Sequence, residues 1–233
     1  MTFPLLFVGY LLVVAVAVAI LLLRFLTARQ SVVALTILAG WLAYAAVLGA
    51  SGTVGRYDHV PGLLLLVGPI ILALLALALS QAGGLLAARV PLALLLGFQV
   101  FRVGVELSLH HLWSLGLAPR LITLKGGNVE ILIAVTAPIA AWLVTRGPAA
   151  RRLAWAWNLA GIVSLGNVVA RAVLSAPGPL NLIRTDVPDI AILTWPFTFV
   201  PGFMAPLAMM LHIVAFRAFH GGRSTPHNSA SRV

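Results

Sequence analysis

The sequence predicts an all-α, polytopic membrane protein, a bundle of seven transmembrane helices. Three observations carry this. Of 233 residues, 61% are hydrophobic and only 9% charged, against about 45–50% and 25% in a soluble domain. The apolar residues gather in runs of about 17–25, the length of a spanning helix. Between the runs lie Arg clusters or Pro/Gly breaks, and no polar stretch is long enough to fold alone. Residues 1–219 therefore read as one transmembrane domain.

The first span, Pro4–Leu23, follows a start without the basic region or cleavage site of a secretory signal, so it reads as retained. The second, Ser31–Ala50, is bounded by Arg29 and Ser51-Gly52, and the third runs from Val60 to Ser80. The fourth, Val90–Trp113, carries polar residues discussed below. The fifth, Asn128–Thr145, opens after Gly126-Gly127 and closes at Arg146; the sixth, Leu153–Ser175, starts after Arg151-Arg152. The seventh, Ile190–Phe216, holds Pro196, Pro201 and Pro206, each of which frees the carbonyl four residues earlier: Ile192, Phe197 and Gly202. Freed carbonyls inside a membrane need protein, water or an ion. The polar, Gly/Ser/Pro-containing residues 220–233 read as a disordered cytoplasmic tail. Between spans four and five, RLITLKGGN alternates and ends in Gly-Gly-Asn, which suggests a short hairpin or re-entrant turn.

With the N-terminus outside, the cytoplasmic segments hold nine Arg (24, 29, 89, 146, 151, 152, 217, 223 and 232), while the outer loops hold Arg56, Arg120, Lys125 and Arg184. The positive-inside rule then gives N-out, C-in. The same placement explains the net charge of +10 without a nucleic-acid partner.

The absence of Cys excludes disulfides and thiolate chemistry. Walker A, Rossmann and HExxH patterns are missing, and the one lysine, Lys125, lies in a loop, which excludes a retinal Schiff base. His110 and His212 are separated by about 25 Å in expected depth, too far for one haem iron. His212 reads as a helix-end residue at the cytoplasmic interface. No metal site or cofactor is expected. Trp142, Trp155 and Trp157, with Asn158 beside them, read as part of an interfacial belt.

The fourth span carries Gln99, Arg102, Glu106 and His110, within roughly 80° of one another on a helix. A charge in hydrocarbon costs at least about 2.5 kcal/mol, so these groups must face protein or water. Depth arithmetic at about 1.5 Å per residue puts Arg102 near the midplane, with Glu106 and His110 outward of it. Glu130 of span five and Asn167 and Arg171 of span six fall in the same outer half. Two Arg and two Glu balance, which predicts a ligand-binding site of Gln99, Arg102, Glu106, His110, Glu130, Asn167 and Arg171. A buried structural pair is the alternative reading of Arg102 and Glu106.

The segments FRVGVELSLHHLWSLGLAPRLITLKGGNVEILIAVTAPIAAWL, WNLAGIVSLGNVVARAVLSAPGPL and WPFTFVPGFMAPLAMMLHIVAFRAF resemble a family of small bacterial multi-pass membrane proteins without assigned function. The resemblance covers about the last two-thirds and rests on Arg102, Glu106, Gly127-Asn128 with Glu130, Trp157-Asn158, Asn167, Pro177 and His212; in that family Asp is more frequent at the Glu130 position. It implies a bacterial inner-membrane location and no activity. The function expected is binding or transport of a small solute or ion, with proton coupling open. Alternatives are an enzyme acting on a lipid or isoprenoid, with Glu106 and His110 as acid and base, and a non-catalytic subunit or scaffold. The partners expected are the lipid bilayer and that solute, with self-association left open.

Overall fold

Capping residues and prolines set the helix boundaries in the computed structural model, which describes residues 2–56, 62–177 and 181–221. Helix α1 (Thr2–Phe25) and α2 (Ala28–Ala50) are separated by a break at Thr27. There the Thr27 side chain accepts from the Gln30 amide while Gln30 Oε1 accepts from the Thr27 amide, a reciprocal capping box. Ser80 ends α3 (Gly62–Leu79) and caps α4 (Gln81–Arg89) through its hydroxyl. Helix α5 (Leu92–Gly97) passes through a 3-10 turn, Phe98–Phe101, into α6 (Arg102–Ser114). Helix α7 is Glu130–Leu143, and α8 is Pro148–Ser175. Gly147, at φ 100°, makes the reversal into Pro148, which occupies the first turn where its missing N–H costs nothing. A π turn, Val200–Met204, leads into α9 (Ala205–Gly221).

The fold is all-helical; no strand occurs among the described residues. Among the described residues six helical stretches are long and apolar enough to cross a membrane: Thr2–Phe25, Ala28–Ala50, Gly62–Leu79, Leu92–Ser114, Pro148–Ser175 and Val200–Gly221. The predicted fifth span, 128–145, contains only the 14 residues of α7. At about 1.5 Å each they rise about 21 Å, short of a hydrocarbon core of about 30 Å. The stretch 190–199, expected to open the seventh span, is irregular apart from a 3-10 turn at Ala191–Leu193. The RLITLKGGN connection forms two 3-10 turns, Arg120–Ile122 and Leu124–Gly126, rather than a hairpin. The predicted cytoplasmic tail begins inside α9, which runs to Gly221; 222–233 lie outside the described residues, as do 57–61 and 178–180.

Burial identifies the centre of the bundle. In the 18-residue apolar window of the Val200–Gly221 stretch 61% of the residues are buried and in that of Leu92–Ser114 50%, against 17% in that of each of the first three helices. α9 is therefore the axis on which α3, α4, α5 and α8 pack, and α1 and α2 present most of their apolar surface outward.

Two of the prolines show where their orphaned carbonyls go. Pro206 frees the carbonyl of Gly202, which accepts from Trp41 Nε1 at 2.6 Å. Pro69, inside α3, frees Leu65, whose carbonyl accepts from the Tyr44 hydroxyl at 2.8 Å. Trp41 and Tyr44 lie three apart on α2 and touch at 5.4 Å between ring centroids, so one helix face serves both breaks. Trp41→Phe, which strands the Gly202 carbonyl, is expected to lower stability by about 1–3 kcal/mol. Tyr44→Phe, at a position 37% exposed, should cost less; thermal denaturation of the two variants in detergent compares them.

Arg217 performs the same service at the opposite end of the bundle. Its Nη1 donates to the carbonyls of Leu77 (2.8 Å), Ala78 (3.0 Å) and Ser80 (2.7 Å), the unsatisfied C-terminus of α3. Gly83 and Gly84 make room, because a Cβ at Gly83 would overlap the Leu77 carbonyl and one at Gly84 would lie 2.8 Å from Arg217 Nη2.

Candidate functional site

The buried polar groups converge where α6, α7, α8 and α9 meet. Arg102, 3% exposed, forms an ion pair with Glu130, 1% exposed, from the first turn of α7. Arg102 Nη1 also lies 3.2 Å from His212 Nε2 on α9. A guanidinium only donates, so Nε2 accepts, and the imidazole proton sits on Nδ1, which donates to Asn158 Oδ1 at 2.8 Å. Asn158 Nδ2 returns a bond to the His212 carbonyl at 3.1 Å. The His212 ring is backed by Trp157, 5.8 Å between centroids, whose Nε1 donates to Thr136 Oγ1 at 2.8 Å. Gln99 Nε2, one turn before Arg102, donates to the Ala208 carbonyl of α9 at 3.0 Å.

One side of the cluster is closed by Asn128. Its Nδ2 donates to Glu106 Oε2 and to the Ile122 carbonyl, both at 2.9 Å, and its Oδ1 accepts from the Glu130 amide at 3.0 Å. That last bond satisfies an orphan amide at the start of α7. One asparagine thus ties the turn before α7 to the Glu106 carboxylate and to the Glu130 backbone. Glu106, one helical turn beyond Arg102, is 8% exposed.

Four of the seven predicted site residues meet here: Gln99, Arg102, Glu106 and Glu130. His110 does not; it is exposed and stacks on Trp113 at 5.1 Å. Each i+4 step advances about 40° past a full turn, so two steps from Arg102 roll His110 out of the interface. Asn167 is also exposed on α8. Arg171 turns to the loop, where Nη2 donates to the Gly126 carbonyl at 2.6 Å. The cluster therefore holds one Arg against two carboxylates, and the expected two-against-two balance is replaced by one surplus acid.

Two residues expected at the interface belong to the site instead. His212 and Asn158 are both fully buried. The helix that carries His212 begins at Val200 rather than Ile190, which moves its centre to about Leu211. The signal available for Asn158 is that it lies ten residues into α8, about 15 Å from the start, too deep for a belt. No group of three or more His, Cys, Asp or Glu able to hold a metal occurs among the described residues.

A family model described as a domain of unknown function (DUF8737) matches residues 60–220, which include every member of this cluster. No curated protein and no solved structure matches the chain.

Proposed function

We propose that this chain, which belongs to the DUF8737 family of domains of unknown function, is a multi-pass membrane protein that binds a proton at Glu106 while binding or carrying a small solute. The observation that carries this reading is the charge count. Arg102 neutralises Glu130, and Arg171 is spent on the Gly126 carbonyl, so Glu106 has Asn128 as its hydrogen-bond partner. A surplus carboxylate in a low-dielectric interior takes a proton or a cation rather than remain bare. Its 8% exposure, the largest among the charged groups of the cluster, gives that proton a route through the Asn128 turn.

The proposed topology keeps the N-terminus outside and the C-terminus inside, supported by the Arg count of the loops. In it α7 serves as the fifth of seven crossings, its short helix lengthened by the turns at Arg120–Gly126. The location proposed is the bacterial inner membrane, as the family resemblance implies.

Infrared titration of the protein in proteoliposomes tests the reading. An Asp189→Asn background removes the remaining buried acid among the described residues, so the protonated-carboxyl stretch reports on the cluster. That band should vanish in Glu106→Gln and shift in frequency in Glu106→Asp, while Glu130→Asp, which keeps a carboxylate for Arg102, should leave it in place. No band, or a band that shifts only with Glu130→Asp, overturns the proposal.

A further inference from the structure

A third buried acid lies away from this cluster, at the end of a groove. Asp189, in the connection between α8 and α9, is fully buried, and neither carboxylate oxygen has a hydrogen-bond partner among the described residues. It lines a cavity of about 500 Å³ walled by α3, α8 and α9, within the roughly 300–1,000 Å³ of small-molecule sites. Apart from Asp189 the wall is apolar, with Val67, Ile70, Val169, Val173, Val200 and Met209 representative. The groove follows α3 from Leu63 to Leu74, about 16 Å at the helical rise. Asp189 sits at the end where α3 begins, α8 finishes and α9 starts. Burial pushes its carboxyl up to about 7, close to the pH at which a cationic partner would decide its ionisation.

We propose that this groove binds a hydrocarbon tail of an amphiphile with a cationic amine head, the tail along the apolar wall and the amine on Asp189. An unpaired buried carboxylate is costly, and an ammonium supplies both the opposite charge and up to three N–H donors for the two oxygens. A neutral alcohol supplies one donor and no charge, and a fatty acid repels. A divalent ion would need further oxygen ligands, whereas the rest of the lining is hydrocarbon. The amine is either a free long-chain amine or the headgroup of an aminophospholipid, since both offer the same chemistry.

The test uses the full chain in phosphatidylcholine nanodiscs, whose quaternary headgroup has no N–H. Retention of octadecylamine, octadecanol and stearate, matched in chain length, is measured on the same preparation. Octadecylamine should be held at least tenfold more tightly than the other two. Asp189→Asn should erase that preference while leaving tail binding, and Val169→Trp, a lining position 38% exposed that tolerates bulk, should displace all three. If Asp189→Asn fails to fold, Val169→Trp alone must still abolish amine retention. Phosphatidylethanolamine added to the disc competes if the lipid headgroup is the source, and leaves octadecylamine retention intact if a free amine is. Equal retention of the three probes, or a preference for the amine that survives Asp189→Asn or Val169→Trp, overturns the proposal.

Discussion

Arg102→Leu is expected to destabilise the protein more than the double change Arg102→Leu/Glu130→Leu. Both partners are almost without solvent exposure, 3% and 1%. Removing the guanidinium leaves the Glu130 carboxylate buried with no counter-charge, and breaking one side of a buried pair costs about 3–5 kcal/mol. Replacing both with leucine removes the charge along with its partner, and exchanges of that kind are often near neutral. The recovery will be partial, because His212 Nε2 also loses its donor, worth about 1–3 kcal/mol. Arg102→Leu/Glu106→Leu separates this pairing from the nearer one in sequence: with Glu130 still stranded, it should remain as damaged as the single variant. Unfolding midpoints in mild detergent, read for the three proteins side by side, decide it. A Glu106 double variant that recovers better than the Glu130 one would reassign the ion pair to α6 itself.

The sequence made part of this cluster legible, and the part it hid follows a physical pattern. An Arg and a Glu one turn apart in an apolar span must face inward, and Gln99 shares their face, so α6 could be oriented without coordinates. Glu130 was reachable from depth alone, because α7 begins beside a Gly-Gly turn. His110 and Asn167 failed for want of rotational information: depth arithmetic gives height in the membrane and says nothing about which way a helix faces. His212 was placed wrongly for a different reason. Counting 190–199 as helix shifted the centre of the last span, because that stretch, with Pro196 inside it, has the apolar composition of a helix without its hydrogen bonds. The donors that answer the proline breaks were hidden by distance along the chain, since Trp41 lies 161 residues from Gly202. The nine residues of α4 are too few for periodicity to separate from a loop, although Ser80 before them is an ordinary N-cap.

Gly161→Ala should disable the cluster more severely than any other single methyl added to α8. A Cβ at this position would overlap the His212 ring, 2.6 Å from Nε2, the nitrogen that accepts from Arg102. The imidazole has little freedom to retreat, because Asn158, three residues before Gly161 on the same helix, holds its Nδ1 and its backbone carbonyl. Overpacking costs about 1–3 kcal/mol, and pushing the ring off its partners strands buried donors at about 1–3 kcal/mol more. Gly166→Ala is the matched control: nothing lies within 4 Å of its Cβ, so it should be neutral or gain up to about 1 kcal/mol of helix propensity. A double-mutant cycle ties the effect to the imidazole. In a His212→Ala background the ring is gone, the new methyl has room, and Gly161→Ala should add little to the damage already done. The expected coupling is about 1–3 kcal/mol, at the upper end of what contacting residues show. An equal cost of Gly161→Ala in both backgrounds would mean that the glycine is required by the α8 backbone rather than by His212, and the close approach of α8 to α9 would then need another cause.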